Sequence, residues 1–270
     1  MASPSTDPKS ALDLTGKVAI ITGSGKENGI GAGIALALAR AGARVAVNYV
    51  SESTAARVPQ VVAAIEAAAG EGSVVVVQAD VSTPEGAEKL VEKTVEGFGV
   101  DHVDILVNNA AWGKGGPITA CTPEELHKAF STVVYGPIYL IKAAIPYMGR
   151  GGRIINIGTV ASKLAIPMLP LYAASKAAMD TLTYSLAQEL GRDGKGITVN
   201  TVAPGPILTD SMPPVPQVQA LKEWLVARTR AEERVGTVED VADAVLLLAS
   251  EKSRWITGQY ISVSGGITGN

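Results

Sequence analysis

The chain has 270 residues, 47% hydrophobic and 18% charged, with 23 Lys plus Arg against 26 Asp plus Glu for a formal net charge of −3. That weakly acidic balance, with no basic run and no interleaved aromatics, argues against a nucleic-acid partner. The single cysteine, Cys121, excludes an internal disulfide and suits a reducing, cytoplasmic setting, and no stretch reaches the ~18 uncharged apolar residues of a membrane span.

In chain order, residues 1–13 are polar and contain proline, with no basic-then-apolar pattern of a secretory signal; they are expected to be a mobile arm. Lys17–Thr22 (KVAIIT) predicts a strand, Ile30–Ala41 a helix, Arg44–Tyr49 a strand and Thr54–Ala69 a helix. Ser73–Ala79 predicts a third strand, Pro84–Gly97 a helix and Val103–Asn108 a fourth strand. Pro123–Met148 predicts one long helix that bends or breaks at Pro137 and Pro146. Arg153–Ile157 predicts a fifth strand, Leu171–Leu190 a helix, Gly196–Val202 a sixth strand, Glu239–Ser250 a helix and Gln259–Val263 a last strand. Regular strand–helix alternation implies a single-domain α/β fold of the Rossmann type: a doubly wound parallel sheet of about seven strands with helices on both faces. The proline-rich stretch Pro204–Gln219 follows the sixth strand, where it would overhang the carboxyl edge of the sheet; it is expected to open a substrate lid running to about residue 235.

Between the first strand and the first helix stands Thr22–Gly33, TGSGKENGIGAG. Glycines there let the backbone approach a pyrophosphate, and the helix amino terminus receives its charge. The second strand ends Asn48–Tyr49–Val50–Ser51 with no acid at its tip, Glu52 lying beyond. An acid at that tip would hold a ribose 2′-hydroxyl and repel a 2′-phosphate. Its absence, with Lys26 in the glycine loop and hydroxyls at Ser51 and Ser53, favours NADP(H) over NAD(H). Asp80, after the third strand, either accepts from the adenine amino group or caps the turn that leads to Pro84.

Tyr172 and Lys176 are four apart in a good helical segment, so they share a face. An ammonium beside a phenol favours the phenolate and lowers its pKa from about 10 toward neutrality. That suits proton exchange with a carbonyl/alcohol pair. His102, His127 and Cys121 read as structural or exposed, and no His/Cys/Asp cluster has metal-ligand spacing. Trp224, Leu221 and Leu225 either line a substrate pocket or pack as ordinary helix residues.

Tyr172–Lys176 (YAASK), the Thr22–Gly31 loop, Asn108–Ala111 (NNAA), Pro204–Gly205 and Ile256–Gly266 (ITGQYISVSGG) together resemble the short-chain dehydrogenase/reductase family over residues 14–266. The likeness is to the β-ketoacyl-type and polyketide/naphthol ketone reductases, and Val47–Ser51 (VNYVS) is similar to their NADP-binding form. The resemblance implies that Tyr172 is the general acid/base and that Lys176 lowers its pKa and holds the nicotinamide ribose. Thr159 takes the place of the catalytic serine and donates to the developing oxyanion. It implies cofactor contacts at Gly23, Gly25, Lys26, Gly29, Ile30, Gly31, Asn48, Tyr49, Ser51, Asp80, Val81, Asn108, Ala110, Pro204, Gly205, Ile207 and Thr209. Thr209 would meet the nicotinamide amide and Asn108 the ribose.

Three residues depart from the family pattern. Gly23 to Gly29 spans six positions where four is usual, as in enoyl reductases, but those place the tyrosine seven before the lysine, and here that position is Leu169. Val133 stands where a helix asparagine usually links the lysine to solvent. Threonine replaces serine at 159. The expected reaction is NADPH-dependent reduction of a mid-sized, apolar or aromatic, polyketide-like ketone in secondary metabolism, by a homodimer or homotetramer. The alternatives are non-redox chemistry such as epimerisation, dehydration or cyclisation, or a cofactor-sensing binding protein without turnover.

Overall fold

The computed structural model describes residues 12–192, 194–210 and 215–268. Most of the expected 1–13 arm, and Ser211 to Pro214 of the expected lid, lie outside them.

Seven strands, β1 (Val18–Ile21), β2 (Arg44–Tyr49), β3 (Val74–Gln78), β4 (Ile105–Asn108), β5 (Arg153–Ile157), β6 (Thr198–Pro204) and β7 (Tyr260–Val263), form one sheet in the order β3-β2-β1-β4-β5-β6-β7. Every pairing is parallel. The central strands are apolar on both sides because each side meets helices. Ala19 and Ile21 of β1 enter one core with α1 (Ile30–Arg40), α3 (Val58–Ala69) and α9 (Val238–Ala249). Ile20, pointing the other way, enters a second core with α4 (Pro84–Phe98), α6 (Gly136–Ala144) and the end of α7 (Pro170–Gly191). Chain order reverses between β1 and β4, and a doubly wound sheet opens its ligand crevice at that point, beyond the carboxyl ends of the strands.

Three helical expectations need correction. The single helix expected over Thr54–Ala69 is two, α2 (Glu52–Ala55) and α3. Ser51 caps the first, and Pro59, which lacks an N–H, stands in the opening turn of the second. The long helix runs as α5 (Pro123–Phe130), a π-helical stretch over Ser131–Tyr135, α6, and a 3₁₀ turn over Ile145–Tyr147. Pro137 cannot donate and its ring crowds the carbonyl four residues back, so the ladder widens just before it and Gly136 N–H donates to Ser131 instead. By composition 123–147 is long and apolar enough to cross a bilayer, but α5 packs on α7 and α6 on α4. Finally, helix α8 (Pro216–Val226) begins inside the stretch expected as loop, with Pro216 in its first turn.

Candidate active site

The crevice at the switch point is a cleft of about 760 Å³. Its floor is the glycine loop. Gly23, at φ +62°, turns the chain out of β1, and its N–H donates to the Asn48 side chain at 3.1 Å. Ser24 Oγ donates to Ile21 O and accepts from Asn48 N–H, tying the loop to β2. At Gly31 a Cβ would lie 2.5 Å from Asn109 Nδ2 and 2.8 Å from Gly23 O, so only glycine lets α1 start this close to the loop. No side chain caps α1 at Gly29, and its first turn holds no acid. Its amino-terminal N–H groups and dipole are therefore presented to an anion.

The cleft wall continues through Tyr49, Val50, Ser51 and Thr54 beyond β2, then Ala79 to Thr83 beyond β3. Lys26 lines the cleft, is exposed, and forms no ion pair among the described residues. Glu52, the acid one step beyond the strand tip, accepts from Gln78 Nε2 at 2.9 Å. Asp80 does cap its turn: Oδ1 accepts from Ser82 N–H at 3.0 Å and from Ser82 Oγ at 2.7 Å, while the residue still lines the cleft. Asn109, Ala110, Ala111 and Trp112 follow β4, and His127, Lys128, Ser131 and Thr132 come from α5 and the π-helical stretch. Thr209 closes the other end.

Several residues taken as cofactor contacts sit elsewhere. Asn108 is buried and donates to Asn156 Oδ1 at 2.7 Å, the first link of a chain through Thr183 to Thr201. The Asn108 Nδ2 is thereby engaged inside the core, while its Oδ1 has no hydrogen-bond partner among the described residues. Asn48 reaches the cleft but donates to Val77 O and Ala79 O, so it holds the two strand ends rather than offering donors to a ligand. Pro204 pairs with Val263 at the end of β6, Gly205 packs on Ser264, and Ile207 is buried in the core, bridged to Gly236. None of these three is in the cleft wall.

The cleft also stops short of Tyr172, Lys176 and Thr159. The loop after Ala111 covers them. A Cβ on Gly113 would come within 2.6 Å of Tyr172 Cδ2, and Gly116 N–H donates to Met168 O at 2.8 Å. Beneath that loop the arrangement foreseen from the four-residue spacing is present. Lys176 Nζ is 5.9 Å from the Tyr172 ring centroid and donates to Ile157 O at 2.5 Å. Thr159 lies near enough to the Tyr172 phenol to favour its ionised form. Its own position is fixed from both sides: Oγ1 accepts from Ala161 N–H, and its carbonyl accepts from Tyr260 Oη. Burial lowers the Lys176 ammonium to about 8, and burial raises the phenol above its ordinary value, with Thr159 pulling it partly back. The phenol is thus held above its ordinary value, where the sequence reading expects it nearer neutrality, because burial disfavours the phenolate.

Tyr172 is also part of a small apolar cluster with Ala161, Leu164, Ile166, Leu169, Leu221 and Leu225. Of the α8 residues, Leu221 and Leu225 belong to the same apolar cluster as Tyr172, whereas Trp224 is 40% exposed with the Arg228 guanidinium 3.7 Å from its ring centroid. Sequence reasoning did not single out Trp112 or Lys128, which no motif marks, nor Asn109, although it stands inside the Asn108–Ala111 motif. It also missed Arg57, which pairs with Glu27 and Asp210 and so joins the glycine loop to the segment after β6. Glu27 and Asn28, which donates to Asp210, lie in the stretch between Gly23 and Gly29 that is longer than usual.

A family model described as enoyl-(acyl carrier protein) reductase matches residues 23–268. The chain is 38% identical over 267 residues to a versicolorin reductase of Emericella nidulans, covering 94% of this chain and 96% of that protein. It is 36% identical to a hydroxynaphthalene reductase of Aspergillus fumigatus, covering 93% and 92%. Among solved structures, an angucycline C-6 ketoreductase with bound NADP superposes with a TM-score of 0.86 at 34% identity, covering 94% of this chain and 96% of that one.

Proposed function

The chain belongs to the short-chain dehydrogenase/reductase family of oxidoreductases, and on that premise we propose that it uses NADPH to reduce a ketone on an apolar, polyketide-like substrate. The observation that carries the reading is the Tyr172–Lys176–Thr159 constellation, with Lys176 buried beside the tyrosine ring, in a fold that also holds a glycine-floored cleft.

The residues present fit a dinucleotide. The uncapped amino terminus of α1 suits a pyrophosphate, and Lys26 at the β2 end of the cleft suits a 2′-phosphate that no strand-tip acid repels. Dihydronicotinamide, when bound, supplies a hydride. Tyr172 then gives its phenolic proton to the carbonyl oxygen, and Thr159 Oγ1 steadies that oxygen as charge develops on it. Lys176 orients the ribose and holds positive charge beside the phenol. In this reading Asp80 and Val81 border the adenine and Thr209 meets the nicotinamide amide.

The apolar cluster around Tyr172 supports a substrate with little charge near the reacting carbonyl. The Tyr–Lys spacing of four, with Leu169 seven before the lysine, supports a carbonyl rather than an enoyl double bond as the reacting group. The reductases of aromatic polyketides among the relatives point the same way. The reading also takes the segment beyond Pro204 as a lid, and the protein as a cytoplasmic homodimer or homotetramer, as its family commonly is. The test is NADPH consumption across a panel of naphthol, anthraquinone and β-keto substrates. Turnover with bicyclic or larger ketones is expected; NADPH binding without consumption of any ketone would overturn the reading.

A further inference from the structure

The face of α7 that carries Tyr172 and Lys176 does not end there. One turn on stands Asp180, whose carboxylate is buried to 5% exposure although nothing in the assigned chemistry uses it. Its Oδ2 accepts from Ser162 Oγ at 2.6 Å and lies 3.6 Å from Lys163 Nζ. Its Oδ1 has no hydrogen-bond partner among the described residues. That oxygen is directed at Gly158, where an added Cβ would sit 3.3 Å from it. Gly158 lies between Ile157, whose carbonyl accepts from Lys176, and Thr159. A buried carboxylate oxygen left unpaired is costly and calls for a use.

Lys176 is itself 3% exposed and donates to Ile157 O, so it has no direct way to trade protons with water. Val133, also buried, offers no hydrogen bond. Lys163, by contrast, has half its side chain in solvent.

We propose that Asp180 is a positioning residue that connects Lys176 to solvent, exchanging protons with the lysine through a water held at its unpaired Oδ1 and with the surface through Ser162 and Lys163. The inference rests on the reductase reading. In each reduction the substrate oxygen keeps the Tyr172 proton, and the phenolate is refilled from the Lys176 ammonium. The resulting amine is refilled from the Asp180 carboxyl, and the carboxylate from solvent, so one solvent proton is consumed per turnover. Burial raises the Asp180 carboxyl, which favours its holding a proton, while Ser162 and Lys163 pull it back. The other titratable groups around it are Lys176 on its own helix, Lys163 on the loop after β5, and Tyr260 of β7, over whose ring Lys163 sits at 5.0 Å.

Asp180→Asn and Ser162→Ala are the tests. Ser162→Ala removes the outer link and leaves the buried carboxylate in place, in case the amide variant does not fold. For each, kcat should fall about tenfold or more with KM for NADPH and ketone unchanged, and the solvent isotope effect on kcat should rise. Removing the carboxylate also removes a charge that favours the Lys176 ammonium, so the alkaline fall in kcat should move to lower pH in Asp180→Asn. A purely structural role would lower Tm and leave the pH profile and isotope effect as in the parent. Unchanged kcat, isotope effect and pH profile in folded variants would overturn the proposal. Should the parent protein reduce no ketone, the reductase reading fails on its own, and the pH dependence of NADPH binding by fluorescence takes over. There, too, the alkaline loss of affinity should shift downward in Asp180→Asn, and an unshifted curve rejects the role.

Discussion

Lys176 Nζ stands 5.9 Å from the centroid of the Tyr172 ring, one turn along the same face of α7, with its ammonium anchored on Ile157 O. The anchor fixes where the charge sits; the helix fixes where the phenol sits relative to it. Both are enclosed, so each pays in desolvation for a position from which the proton can be moved.

Removing the phenolic proton isolates its contribution. Tyr172→Phe should lower kcat by about 10²-fold or more, as for loss of a general acid, while NADPH binding by fluorescence changes little. A near-parental rate would take the tyrosine out of the chemistry.

Burial of Lys176 also leaves a mark on stability against pH. The native state gives up this proton at about 8 and the unfolded chain near the ordinary 10.5. Between those values the unfolded state holds more protons, so this residue makes stability rise with pH across that window and costs most below it. Lys176→Met should therefore raise Tm at neutral pH, with the advantage fading as pH climbs past 8. Thermal melts of both proteins from pH 6 to about 10.5 check it; a constant difference across the range contradicts the account.

Lys26 is the cleft cation that belongs to the glycine loop. Lys26→Ala should raise KM for NADPH about tenfold or more, the worth of one charge-assisted phosphate contact, and leave KM for NADH nearly as it was. Equal effects on the two cofactors would mean that the lysine does not meet the 2′-phosphate.

At Gly31 the cradle has no spare room. An added methyl group would press on Gly23 O, Ser24 Cα and Asn109 Nδ2, two of them backbone-fixed, with φ in the ordinary region and hence no contribution from backbone strain. Gly31→Ala should cost about 1–3 kcal/mol of stability and weaken dinucleotide binding. Chemical denaturation and NADPH titration read the two effects separately, and an unchanged affinity would mean that the loop does not cradle the pyrophosphate.

The strands and their order along the chain were legible because a parallel sheet covered on both faces needs continuous runs of β-branched and small apolar residues, as in Val18–Ile21 and Arg153–Ile157. The Tyr172–Lys176 pair was legible for a similar reason, since helical periodicity is local. The same period extended one step further reaches Asp180, a signal present in the sequence and passed over. Breaks in helices were less legible. The Pro137 disturbance appears as a π-helical stretch before the proline, where Gly136 N–H donates to Ser131 O and Gly136 packs on Val81 O.

What the sequence determined by itself is the set of contacts spaced within one element or one turn: the glycine loop feeding α1, the phenol and ammonium on one face, the missing acid at the tip of β2. Only the tertiary structure decided which way the long-range side chains turned. Asn108 goes into the core to meet Asn156, Arg57 reaches Glu27 and Asp210, and Gly113 lies across Tyr172. Those outcomes depend on satisfying buried polar groups and filling space between segments far apart in the chain, and no spacing along the sequence encodes that competition.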